Sequence, residues 1–330
     1  MSCEGPTIVA IAEGALVELE KIMRNYSNPL CITDELIHSE YSTHLEDIIG
    51  QTCRWIMANS YAHNSIQNFD GIDIIIGFGG GASLDIAKLI AGRTGLNWIS
   101  VPTAASHDGI ASEVASVSHD GYKYSEKCKG PLAVIADISI ISRAPPRLKL
   151  AGLGDIICKT ASLAEWKLAH EEKNEPFDDQ VYSIVDNALN TVLRDDRIET
   201  LIQAEIDAGR AMSVFGSSRP CSGTEHAISH AMDRTSKELH GLQVAFATPI
   251  CLYYLQEAGY AKHGFEEILG FMKSRQMPAS FKEFGNTPIA FLDDVHHAVK
   301  IMKKRNRYSV LEHLSVDDSN LLNTMQDIGY

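Results

Sequence analysis

Three histidines and an aspartate give the first suggestion of chemistry in this chain. The stretch "SGTEHAISHAMDRTSKELHG" (222–241) holds His226, His230 and His240, three of the 13 histidines in the chain. His226 and His230, four residues apart, share one face of a helix. Two imidazoles so placed either hold a common metal or divide the work, one on the metal and one on a substrate. An idle surface pair is the plain alternative. Asp155, in "GLGDIICK", is either a cap at the start of a long helix or a carboxylate ligand. Two imidazoles plus one carboxylate would make a zinc site with its fourth position open, the catalytic form. Around them, Ser222 with Glu225 three positions later reads as a capping box, and Gly241 as a tight turn after His240.

A second cluster is "GFGGGASLDIAK" (77–88), where an apolar run ends in glycines and a helical pattern begins. Backbone N–H groups and the positive end of a helix converge at such a turn, which suits a phosphate, and a Cβ would keep the phosphate off the backbone. Gly77, Gly79 and Ala82 satisfy the GxGxxA form of the dinucleotide fingerprint. The ribose-binding acid expected about 20 residues on is missing, because that position falls in "NWISVP". The loop also sits in an internal βα unit. A standard Rossmann reading therefore fails, and a purely structural glycine turn stays open.

These groups need elements to hold them. "PLCIT" (29–33), "GIDIIIG" (71–77) and "NWISVP" (97–102) read as strands, with "ASLDIAKLIAG" (82–92) as the helix between the last two. Strand, helix, strand implies a parallel sheet. "SEVASVSHDGYKYSEK" (112–127) predicts a hairpin turning at Asp120-Gly121, and "LAVIADISII" (132–141) a further strand region. "SRAPPRLKLAGLGD" (142–155) reads as a linker. Strand signals nearly vanish beyond it, and long helical patterns take over. The expected fold is an N-terminal Rossmann-like parallel-sheet domain, residues 1–147, followed by an all-helical domain, residues 148–330.

The bulk numbers agree. A chain of 330 residues with 45% hydrophobic content can bury two cores. A net charge of -14 argues against nucleic acid or an anionic membrane as partner, so an anionic ligand must be held by amides, a metal or a few cations. Seven scattered cysteines without a CxxC pair suggest a reducing compartment. No basic leader precedes the first apolar run, and none is long enough to span a bilayer, so a cytoplasmic protein is expected.

Taken in order, "GFGGGASLDIAK", "SVPTAASHDGIAS", "AGLGDII", "SRPCSGTEHAISHAMD" and "LHG" resemble the sn-glycerol-1-phosphate dehydrogenase family. It is a branch of the dehydroquinate synthase-like superfamily that also holds glycerol dehydrogenase and the iron-type alcohol dehydrogenases. The resemblance runs over roughly residues 71 to 248. It implies reversible reduction of dihydroxyacetone phosphate by NADH or NADPH to sn-glycerol 1-phosphate, the glycerophosphate backbone of archaeal ether lipids, and hence an archaeal source. Carried over, Asp155, His226 and His240 match zinc ligands, one Zn2+ per chain. Asp108, Asp155 and His230 match substrate-contacting, catalytic positions. Gly79, Gly80, Gly81, Ala82, Ser83, Leu84, Asp85, Thr103, Ala104, Ala105, Ser106 and Ser112 match cofactor-binding segments. A homo-oligomer is also expected. Three positions depart from the family's pattern: Leu242 where a glutamate is usual, Glu165 where aspartate is, and Cys221 in place of a small residue. Leu242 puts a supporting partner of the metal site in doubt. The rivals are a glycerol or iron-type alcohol dehydrogenase, disfavoured by "PTAASHDG" and the full "SRPCSGTEH" run, and dehydroquinate synthase. That lyase needs a basic cluster, whereas the motif stretches here carry only Lys88, Lys159 and Arg219 as notable cations.

Overall fold

The computed structural model describes residues 5–61, 68–119 and 122–330. Six strands form one all-parallel sheet in the order β1-β8-β5-β4-β2-β3, and β6 and β7 form a separate two-stranded sheet. Their spans are β1 Ile8–Ala12, β2 Pro29–Thr33, β3 Arg54–Met57, β4 Ile74–Gly79, β5 Asn97–Pro102, β6 Val114–His119, β7 Tyr122–Lys127 and β8 Ala133–Asp137. β2, β4 and β8 are buried along their whole length, as their continuous apolar runs require of central parallel strands. The predicted strands at 29–33 and 97–102 are β2 and β5. The expected hairpin has its strands in β6 and β7, while its turn at Asp120-Gly121 lies outside the described residues.

The helices are α1 Leu19–Met23, α2 Glu35–Ile49, α3 Gly81–Thr94, α4 Ile138–Ile141, α5 Pro146–Ile157, α6 Lys159–Lys173, α7 Asp179–Arg194 and α8 Ile198–Phe215. After them come α9 Thr224–Met232, α10 His240–Glu257, α11 Phe265–Ser274, α12 Phe281–Phe284, α13 Pro288–Lys304, α14 Val310–His313 and α15 Asp318–Asp327. No helix among the described residues is long and apolar enough to cross a membrane.

The chain divides into two compact units. The first comprises residues 1–118, 124–149 and 197–214, and the second residues 119–123, 150–196 and 215–330. The first unit packs Leu16, Leu19, Ile74, Ile76, Phe78, Val101 and Ile135 around the sheet. It also takes nearly all of α8, although the sequence around it is helical. Gly209 of α8 explains the placement: a Cβ there would stand 2.9 Å from the Ser112 nitrogen, so only glycine lets the helix lie on the backbone of Ala111 and Ser112. The second unit is helical, with α10 running through its core among Ile228, Leu252, Ile268, Phe291 and Val295.

Four local expectations are corrected. The stretch at 142–155 is mostly helix, because its second proline, Pro146, takes the first position of α5, where proline's missing N–H costs nothing. Asp155 therefore lies inside the last turns of α5 and caps no helix start. The cap of α9 is Gly223 in place of Ser222: the Glu225 Oε1 accepts the Gly223 N–H at 2.8 Å, so the reciprocal half of a capping box exists without its serine half. Gly241 makes no turn but lies in the first turn of α10.

Candidate active site

Two glycines bring the site together. A Cβ on Gly241 would overlap the Ala151 carbonyl, and one on Gly154 would overlap the Gly241 carbonyl. α5 and α10 can therefore touch backbone to backbone only with glycine at both positions. The residues next to this contact in sequence are Asp155 and His240.

The third helix, α9, is fixed from its N-terminus. Glu165 of α6 accepts the Thr224 N–H at 2.9 Å and the Thr224 hydroxyl at 2.6 Å, supplying the anionic cap that Gly223 lacks. A Cβ at Gly223 would lie 2.6 Å from the same carboxylate, which explains glycine there. Burial pushes the Glu165 carboxyl up, and the buried Arg219 guanidinium 3.4 Å away opposes that. Two residues into α9 comes His226.

The four residues singled out in the second unit converge. His226 Nε2 stands 3.8 Å from Asp155 Oδ1. The His226 and His240 ring centroids are 5.3 Å apart, and the His230 and His240 rings stack at 5.8 Å. Asp155 and His226 are buried and His230 nearly so. Burial alone would raise the Asp155 carboxyl, but Lys159, with its ammonium 3.3 Å from Oδ2, and then His226 hold it well below the usual carboxylate range. Burial likewise disfavours a charge on His226, yet Cys158, Asp155 and Glu225 together hold its pKa well above the ordinary value.

Asp155, Cys158 and His226 bring donor atoms within 4.8 Å of one another, as a divalent metal needs, while His240 completes no such group among the described residues. His226 donates from Nδ1 to Glu225 Oε1 at 2.8 Å, so when the ring gives up its second proton to a metal the lone pair falls on Nε2, towards Asp155. The Ser229 hydroxyl gives its one proton to Gln243 Oε1 at 2.7 Å, so it accepts from His240 Nδ1 at 2.9 Å. His240 then also carries its lone pair on Nε2. Both imidazoles are thus held in the ligating tautomer by a partner behind them. Two ligand atoms on one tetrahedral zinc are roughly 3.3–3.6 Å apart, close to the Asp155–His226 separation. Buried polar atoms without a hydrogen-bond partner among the described residues include Glu225 Oε2 and His230 Nδ1, both beside this cluster.

Sequence reasoning missed two members of the centre. Cys158 is one: its Sγ, a nitrogen of His226 and an Asp155 carboxylate oxygen lie within 4.8 Å of one another. Its spacing of three from Asp155 was the available signal. Glu225 is the other, read as a cap partner and found also behind His226. Leu242, where the family has glutamate, is buried in the apolar core of the unit, so the support of the imidazoles falls to Glu225, Ser229 and Gln243.

In the first unit, β4 ends at Gly79 and α3 starts at Gly81, with Gly80 as an N-cap that supplies no side-chain bond. A Cβ on Gly79 would meet Ser83 Oγ at 2.5 Å, one on Gly81 would overlap His107, and one on Gly80 would meet nothing within 4 Å. The first two glycines are demanded by packing and the third faces open space, as a phosphate cradle needs. Of the remaining residues matched to cofactor segments, Ala82 is exposed, while Ser83, Leu84, Thr103, Ala104, Ala105 and Ser112 are buried. Asp85 accepts from Lys88 at 3.0 Å and from the Ser116 N–H at 3.2 Å, a structural engagement. Asp108 opens a short 3₁₀ turn behind Ser106 and His107. No acid stands at the expected position downstream of the loop, but Asp34, just past β2 and the cap of α2, lies 3.4 Å from where a Gly79 Cβ would be. β2 neighbours β4 in the sheet, so the carboxylate arrives from an earlier strand.

A parallel-sheet nucleotide fold joined to a helical unit with a histidine–carboxylate centre defines a metal-dependent dehydrogenase of the iron-containing alcohol dehydrogenase type. The model of that family matches residues 10–145. The fold is shared by a probable glycerol dehydrogenase from Sinorhizobium meliloti (TM-score 0.77, 19% identity, 98% of this chain and 96% of that one). It is shared too by an iron-containing alcohol dehydrogenase from Thermococcus thioreducens (TM-score 0.71, 16% identity, 98% of both chains). In sequence the chain is 33% identical to the glycerol-1-phosphate dehydrogenase [NAD(P)+] of Archaeoglobus fulgidus, over 93% of this chain and 92% of the relative. It is 34% identical to that of Methanosarcina acetivorans, over 93% and 90%. The chain belongs to the glycerol-1-phosphate dehydrogenase family.

Proposed function

We propose that this protein reduces dihydroxyacetone phosphate with NADH or NADPH to sn-glycerol 1-phosphate, supplying the backbone of archaeal ether lipids. The observation that carries the reading is the convergence of Asp155, His226, His240 and His230, with both candidate ligand imidazoles hydrogen-bonded through Nδ1. Asp155, His226 and His240 would hold a divalent ion, zinc on the chemistry of its donors, which polarises the ketone as a Lewis acid. The loop from Gly79 to Asp85, with Thr103 to Ser106 and Ser112, would hold NAD(P)H, which would supply the hydride.

The chain's own residues do the rest. Glu225 and Ser229 fix the two imidazoles, and Lys159 compensates one oxygen of Asp155. Burial lowers the pKa of His230, more than Asp233 raises it, so the ring is neutral at physiological pH. A neutral imidazole beside the reacting oxygen can bind it and pass a proton to it. Asp108 is kept as a substrate contact on the family match. Cofactor binding is assigned to residues 1–147, and metal and substrate binding to 148–330, Asp108 excepted and with α8 packed in the first unit. None of the six described cysteines is in a disulfide, which supports a cytoplasmic setting. Ile8 and Val9 are exposed on β1, an edge strand, which supports assembly of like copies.

The test is NAD(P)H oxidation with dihydroxyacetone phosphate, followed by stereochemical analysis of the glycerol phosphate. Formation of the sn-3 isomer, or no oxidation by metal-loaded protein, would overturn the reading.

A further inference from the structure

An acidic chain that binds a phosphorylated ketone needs a cation for the phosphate. The cations around α9 are mostly engaged. Arg219 is paired with Glu165 and Glu175, and donates to the Tyr308 carbonyl. Arg307 donates to the Ser222 carbonyl and the Ser218 hydroxyl, both at 3.0 Å. Arg234 faces Asp294. Lys159 is taken by Asp155.

Arg305 differs. It is half-buried, and its guanidinium makes no hydrogen bond or ion pair among the described residues. Its position follows from two pins between neighbouring helices. Thr235, just past α9, donates to Asp294 of α13 at 3.3 Å, and Arg307, just past α13, reaches back to Ser222, just before α9. The helices are therefore antiparallel, and Arg305, closing α13, lies opposite the first turns of α9, those of His226. α9 and α13 pack against each other along this length. Burial depresses the pKa of Arg305, the cost of an arginine partly withdrawn from water with no anion beside it. Such a cost persists where a ligand completes the pair.

We propose that Arg305 is the cation that receives the phosphate of the substrate, placing a phosphomonoester over the end of α13 while its carbonyl reaches His226 and His230. This rests on the reading above for the substrate's identity, but the anion site itself does not. A planar guanidinium accepts two phosphate oxygens at once, and each charged hydrogen bond lost costs roughly tenfold or more.

The experiment uses metal-loaded full-length protein. Inorganic phosphate is titrated by calorimetry into the native chain, Arg305→Gln and Arg305→Lys, and as an inhibitor against both dihydroxyacetone phosphate and NAD(P)H. Arg305→Gln is expected to bind phosphate about 10²-fold more weakly. Its kcat/KM for dihydroxyacetone phosphate relative to unphosphorylated dihydroxyacetone should fall by a similar factor, mostly through KM. Arg305→Lys, which keeps the charge and loses the fork, is expected to lose about tenfold and serves should the glutamine variant not fold. Native phosphate inhibition should compete with the ketone and leave the nucleotide's KM alone. Equal losses on both ketones, unaltered phosphate binding in the variants, or competition with the nucleotide alone would overturn the assignment. If the native protein fails to reduce dihydroxyacetone phosphate, the proposed reaction falls, while the calorimetry still decides whether Arg305 binds a phosphate.

Discussion

His226 and His230 sit one turn apart on α9, yet what surrounds them separates their work. His226 is anchored at Nδ1 by Glu225 and turns Nε2 to Asp155, whereas the nearest carboxylate to His230 Nδ1 is Asp233 at 3.9 Å, beyond a hydrogen bond. These surroundings support the proposed roles, the first as a ligand and the second as a neutral group beside one. His226→Ala is expected to lose the metal. His230→Ala is expected to keep it and lose roughly 10²–10⁴-fold in rate, the range for a positioned acid–base group. Elemental analysis of both purified variants checks this, and an empty His230→Ala with a loaded His226→Ala would reverse the roles. Glu225→Gln tests the anchoring: it should keep its fold but surrender metal to a chelator 10–100-fold more readily. The residue types of this centre were legible in the chain because imidazole and carboxylate have few other uses in such density. Cys158 and Glu225 were not. A buried cysteine and a cap glutamate are ordinary until the fold sets them against His226.

The elements owe their placement to glycines that do different things, and spacing alone did not tell them apart. Spacing predicts a turn at Gly241, which is a helix-contact residue, and a cradle at Gly79 to Gly81, where Gly80 meets nothing within 4 Å. The two should respond oppositely to a side chain. Gly241→Ala would force α10 off the backbone of α5 and is expected to cost about 2–4 kcal/mol in denaturant unfolding, with loss of bound metal. Gly80→Val meets nothing within 4 Å, and its φ of -77° suits any residue. Stability should be preserved while the KM for NAD(P)H rises sharply, and normal cofactor binding in a fluorescence titration would move the phosphates elsewhere. The sheet order accounts for the acid that linear spacing did not find, since Asp34 precedes the loop by more than forty residues yet stands just past the strand beside it. A carboxylate there favours a ribose hydroxyl over a 2′-phosphate. Asp34→Ser, which retains a cap for α2, is expected to shift the kcat/KM ratio about tenfold towards NADPH.

At the scale of the molecule, the alternation of strand and helix followed by helix alone was readable from periodicity, because buried parallel strands and amphipathic helices leave different patterns. The membership of α8 was not. A helical pattern carries no address, and only the small residue at Gly209 marks the surface on which that helix lies. The resulting division has a thermodynamic consequence. Asp155, Cys158, His226, His230 and His240 all belong to the second unit, and the glycine loop to the first. A ligand that binds only the folded form stabilises it by RT ln(1 + [L]/Kd), about 2.7 kcal/mol at a hundredfold excess over Kd. For units of this size such a gain raises a melting temperature by roughly 5–11 °C. Metal should therefore raise the transition reported by Trp166, buried in the helical unit, and NAD(P)H the one reported by Trp98, buried in the sheet. Single-tryptophan variants followed by fluorescence while the protein is heated, with and without chelator or cofactor, separate the two responses. An equal shift of both probes by either ligand would mean that the units melt as one, and a chelator effect confined to Trp98 would remove the metal from the helical unit altogether.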